Sequence, residues 1–137
     1  MKAVTMKSMV VFLLLAFSAT IFAQTPKNEQ LLNKAKVNYL RTLNSDYNSI
    51  VESSIFITME LKNRFPEADF GKLVDKLNEL AVEGNAPTVR YKAQLASLYI
   101  NFHGMFSDIQ FSDKENPEKY FKEISDRLTQ FPVAVNN

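Results

Sequence analysis

Apolar residues recur three and four apart through Leu31, Leu32, Ala35, Tyr39, Leu40 and Leu43, the spacing that gathers side chains on one face of a helix. The polar cluster "NSDYNS" interrupts this first helix. Ser49 followed by Glu52 then forms the S-x-x-E pattern of a capping box, predicting a second helix that runs to about Phe65. Pro66 stops it, because proline has no amide donor and disfavours a helical residue before it. A third helix is expected from about Glu67 to Glu83, with Phe70, Leu73, Leu77 and Leu80 on one face. "GNAP" closes it, with Gly84 suited to a left-handed residue past the helix end.

The fourth helix is expected from Pro87 or Thr88 to about His103. Its polar positions, Arg90, Gln94, Ser97 and Asn101, fall on a single line, so the remaining faces are apolar or small. Such a helix belongs at the centre of a domain, and Ala93, Ala96 and Ser97 would let neighbours approach closely. A fifth helix starts at "NPEKYF", where Asn116 can cap and Pro117 suits the first helical position, and continues to about Gln130 before Pro132. No segment sustains a period-two alternation. The pattern predicts an all-α fold of about five helices.

The beginning of the chain reads differently. Lys2 and Lys7 precede "VVFLLLAFSATIF", an apolar run of 13 residues, followed by Ala23. A bilayer-spanning helix needs about 20 residues. The layout is that of a secretory signal, and cleavage after Ala23 is expected. Residues 1–23 are then a signal peptide, residues 24–137 a single all-α domain, and the product is exported, periplasmic or extracellular, without a stable transmembrane anchor. Losing Lys2 and Lys7 leaves 14 basic residues against 15 acidic ones. That balance lacks the positive excess with which nucleic-acid binders neutralise phosphates. The chain has no cysteine, so apolar burial must hold the fold without disulfides or thiolate-bound metal.

Two segments repeat. A shift of 38 residues lays "SIVESSIFIT" over "PTVRYKAQLA", bringing Val51 over Val89, Ile55 over Ala93 and Ile57 over Leu95. A shift of 51 lays "PEADFGKLVDKL" over "PEKYFKEISDRL". The shifts differ by 13, placing an insertion near "HGMFSDIQFSDKEN". A helix pair followed by a second, longer pair, with Val89, Arg90 and Ala93 in the first helix of the second unit, resembles HEAT-like α-helical repeats, whose units are about 40 residues long. The resemblance spans residues 49–131, and Glu52 stands where its motif has the arginine. It implies stacked antiparallel helix pairs that offer a binding surface to a protein or cell-envelope component, without catalysis and without a cofactor. A compact helical bundle is the alternative. If equivalent positions lie side by side, Glu52 and Arg90 form an ion pair between units, while Lys92 runs its stem along the surface and keeps its head in water.

Other chemistry is thinly represented. The three glycines, Gly71, Gly84 and Gly104, lie too far apart to form a phosphate-binding loop. His103 is the only histidine, and pairing with Asp108 would make the chain a small hydrolase-like enzyme. A third possibility is a bundle holding an apolar ligand among Phe56, Phe65, Phe70, Tyr91, Tyr99 and Phe102. In the insertion, residues 104–115, the large apolar side chains Met105, Phe106, Ile109 and Phe111 either plug the end of the helix stack or form a contact patch. The partner-binding candidates are Arg90, Lys92, Phe106, Ile109 and Phe111.

Overall fold

The computed structural model describes residues 27–130, so the expected signal peptide and the expected cleavage after Ala23 lie outside the described residues. The chain divides into two units, residues 1–35 and 36–137; of the first, residues 27–35 are described, and they are helical. Helix α1 covers residues 27–43 and is followed by α2 (Asn48–Arg64), α3 (Gly71–Glu83), α4 (Pro87–Asn101) and α5 (Glu118–Gln130), with one 3-10 turn at His103–Met105. There is no strand among the described residues, and the fold is all-α. No described helix is long and apolar enough to cross a membrane.

The helix ends follow local chemistry, not always the chemistry that the motifs suggest. Phe65 N–H closes α2 on Leu61 O, and Pro66 prevents continuation. At its start, α2 opens at Asn48 behind the extended Tyr47, with no side-chain cap. Ser49 is therefore already inside the first turn, and Glu52 is drawn away to Lys92 at 3.3 Å, so the expected capping box does not form. Helix α3 begins at Gly71 rather than Glu67, because the Asp69 carboxylate accepts the Gly71 N–H at 2.8 Å and holds the preceding residues in a turn. Gly84 has φ −55° and is not left-handed. What requires glycine there is space: a Cβ would stand 2.6 Å from Leu80 O and 2.9 Å from Val89 Cγ1. Pro87 occupies the first turn of α4. In α5 the Pro117 carbonyl accepts Tyr120 N–H at 3.1 Å, placing Pro117 just before the helix.

Helix α4 lies between its neighbours. It packs antiparallel to α3, with Arg90 reaching the Gly84 carbonyl and Ser97 reaching Asn78. Helix α2 runs beside α4 in the same direction: Glu52 meets Lys92 near their starts, and Lys62 lies near His103 at their ends. The long connection carries the chain back, so α5 begins with Glu118 against Lys92 and ends with Arg127 against Met105 and Asp108. Ala93 and Ala96 are fully buried, as close helix approach requires, and Val51 and Val89 both face the interior. The polar line of α4 is rotated from its expected position. Tyr91, Gln94, Asn101 and Phe102 are exposed, whereas Ser97 is buried because its hydroxyl donates to Asn78 Oδ1 at 2.6 Å.

Candidate functional site

Positions 60, 63 and 64 share one face near the end of α2, since residues three and four apart are neighbours on a helix. That face carries Glu60, Asn63 and Arg64, and opposite it lies the segment 109–113, which is neither helix nor turn. Its burial alternates: Ile109 is buried, Gln110 exposed, Phe111 half-buried, Ser112 exposed and Asp113 half-buried. This is the in-and-out pattern of an extended chain. The inward side chains fix it. The Phe111 ring lies 4.9 Å from Tyr120, 5.6 Å from Tyr99 and 5.7 Å from Phe56, and Asp113 N–H donates to Tyr120 Oη at 2.7 Å.

Between helix and segment runs an open groove of about 230 Å³, lined by Glu60, Asn63, Arg64, Gln110, Phe111, Ser112 and Lys114. Lys114 Nζ sits 3.6 Å from Glu60 Oε1, a loose pair across the groove. Arg64 is exposed and makes no hydrogen bond or ion pair among the described residues. Two cations thus face one carboxylate, with two amides, a hydroxyl and an aromatic ring beside them. The lining suits binding: it offers donors for a carboxylate, amides for a peptide backbone and one apolar surface.

The five partner-binding candidates are placed differently from one another. Arg90 is half-buried and donates to Gly84 O at 2.7 Å, closing the end of α3; its expected pairing with Glu52 is not formed. Lys92 takes Glu52 instead. It is not a surface side chain with its head in water: it is buried, bonded to both Glu52 and Glu118, with its ammonium 5.4 Å from the centre of the Phe121 ring. The reason is geometric. Glu52 lies level with the face that carries Thr88 and Lys92, one turn apart, and position 90 points elsewhere. Thr88, on the same face of α4, holds the Glu52 carboxyl below its ordinary range, with burial opposing and Lys92 adding to the effect. Burial alone would lower the Lys92 ammonium, but the two carboxylates outweigh it and the net shift is upward.

Phe106 is fully buried and Ile109 is 3% exposed, so both side chains plug the interior and offer nothing to a partner surface. Phe111 is the candidate that lines the groove. Glu60, Asn63, Arg64, Gln110, Ser112 and Lys114 have no counterpart among the sequence candidates. The signal that could have found them is the alternation over 109–113, too short to count as a strand.

His103 and Asp108 are not paired. Both Asp108 oxygens are taken by Arg127 at 2.6 and 2.8 Å, which holds that carboxyl below its usual range. The His103 ring stands edge-on to Tyr99 at 5.3 Å; burial lowers its pKa, Lys62 lowers it further, and Glu67 opposes. Tyr99 Oη and His103 Nε2 are buried without a hydrogen-bond partner among the described residues, and burial pushes the Tyr99 phenol well up. Tyr99 packs against Phe106 and Phe111, and Phe111 against Tyr120, while of the six aromatics of the apolar-ligand reading Phe56, Phe70 and Tyr99 are buried, Phe65 is half-buried and Tyr91 and Phe102 are exposed. Among the described residues, no three side chains of His, Cys, Asp and Glu converge as metal ligands would. The chain matches no family model, no curated protein and no solved structure.

Proposed function

We propose that this chain is an exported, non-enzymatic helical-repeat protein of HEAT-like kind whose role is to bind a protein or cell-envelope component, and that the groove between α2 and segment 109–113 is where it binds. The observation that carries this reading is the contrast between two parts of the molecule. The groove holds polar side chains with unused bonding capacity, Arg64 foremost, on a backbone fixed by buried aromatics. The candidate acid and base, by contrast, are apart, with Asp108 committed to Arg127. The basic start and 13-residue apolar run within residues 1–23 are the ground for export, and the two internal matches in the sequence are the ground for a repeat.

The test is affinity capture from the cell envelope with the wild-type chain and with Arg64→Glu, an exposed substitution that leaves the core untouched. Proteins retained by the wild type and lost by the variant, at unchanged melting temperature, are the expected result. The same proteins retained by both would remove the groove from consideration.

A further inference from the structure

The groove is small and open. Pockets that bury drug-sized ligands enclose about 300–1,000 Å³, and this one holds about 230 Å³ with a wide mouth. Its occupant is therefore a short piece of something larger, most of which stays outside. One wall supplies an uncommon feature for an all-α protein. The N–H and C=O groups of Gln110, Phe111 and Ser112 have no hydrogen-bond partner among the described residues, while Ile109 N–H and Asp113 N–H on either side are bonded to Phe106 O and Tyr120 Oη. Three residues of extended backbone are thus pinned at both ends and left unpaired between, which is the template that an added strand uses.

Charge selects among such strands. Arg64 has no partner among the described residues, Lys114 has only Glu60 at 3.6 Å, and the Lys114 side chain is 64% exposed. A carboxylate entering the groove gains both cations and competes with a single loose one already there.

Resting on the binding role argued above, we propose that the groove takes an extended peptide segment bearing a carboxylate, its backbone paired along Gln110–Ser112 and its acid held by Arg64 and Lys114. The carboxylate could come from an acidic side chain or from a chain end, and the two share one chemistry. Glu60 acts against the ligand, so its removal has the opposite sign to removal of the cations. That reversal is what a merely sticky surface would not show.

The experiment is a fluorescence-anisotropy titration of the purified chain at low salt with three labelled octapeptides of threonine and valine. The first has blocked ends and two glutamates, the second has glutamines in their place, and the third has neither but a free C-terminal carboxylate. Binding of the first or third and not of the second is expected, and which of the two binds more tightly identifies the source of the acid. Arg64→Gln and Lys114→Gln should each weaken that binding by at least about fivefold, as loss of a charge-assisted hydrogen bond does, and Glu60→Gln should tighten it. Equal binding of glutamate and glutamine peptides, or charge variants without effect, would overturn the proposal. If no peptide binds while Arg64→Glu still loses its envelope partners, the peptide inference fails and the binding role stands; if capture is also unchanged, both fall.

Discussion

Gly84 shows how one residue can be required for a reason its sequence context hides. The turn "GNAP" after a helix suggests a left-handed glycine, yet its φ is ordinary, and a side chain is excluded by the Leu80 carbonyl and the Val89 methyl instead. Leu80 O is backbone and cannot swing aside. Gly84→Ala should therefore destabilise the fold by about 1–3 kcal/mol, the usual cost of overpacking a filled site, despite gaining the backbone advantage that alanine normally brings. Chemical denaturation compared with wild type checks this. A neutral or stabilising alanine would mean that α3 and α4 can separate freely at this corner. The carbonyl of the same residue accepts Arg90, so the corner is held by a guanidinium as well as by contact.

At the scale of elements, the four helices α2 to α5 were legible because period and punctuation agree: Pro66 follows the last residue of α2 by two positions and Pro87 is the first residue of α4. The connection from Phe102 to Pro117 was not. Its apolar residues can be counted in the sequence, but whether they turn inward depends on what stands across from them: Tyr99, Phe56 and Tyr120 come from three separate helices. Lys92 escaped for the same reason, since the two carboxylates that make its burial tolerable are 40 and 26 residues away. The groove was invisible because it needs the face of one helix and the edge of a distant segment together. The connection makes a testable division. Phe106→Ser should cost about 3–5 kcal/mol, since it empties a fully buried aromatic site and leaves a hydroxyl there. Phe111→Ser, at a half-buried site, should cost about 1–2 kcal/mol by lost apolar burial. Thermal unfolding of the two variants tests the order; equal losses would contradict the distinct placement of the two rings.

For the molecule as a whole, Lys92 is the tie between α2, α4 and α5, and its ionisation sets a pH window for the fold. Glu52 has a folded pKa below its ordinary 4.5, so its contribution is complete above 4.5 and is lost as pH falls through the lower folded value. Lys92 has a folded pKa above its ordinary 10.5, so its contribution is complete below 10.5 and is lost as pH rises through the higher folded value. Between these limits the tie is fully charged. His103 works the other way: its depressed pKa means that protonation penalises the folded state once pH drops below its ordinary 6.5. The acid limb of stability should therefore begin below about 6.5 with His103 and continue below 4.5 with Glu52, joined at lower pH by Asp108, whose carboxyl Arg127 holds down. Melting temperature measured from pH 3 to pH 11 should lose the upper part in His103→Gln and flatten at the lower part in Glu52→Gln. Lys92→Met keeps the buried stem but removes the charge, and should flatten the alkaline limb and reduce the Glu52 part of the acid limb, which Thr88 also supports, while leaving the His103 part in place. Because Glu118 is 69% exposed on its side chain and Glu52 only 27%, Glu118→Gln should change the acid limb less than Glu52→Gln, and its effect should fall on the alkaline limb through Lys92. An acid limb unchanged in Glu52→Gln would show that the tie carries no differential ionisation, and that α5 is held to α2 and α4 by its buried Tyr120, Phe121 and Ile124 alone.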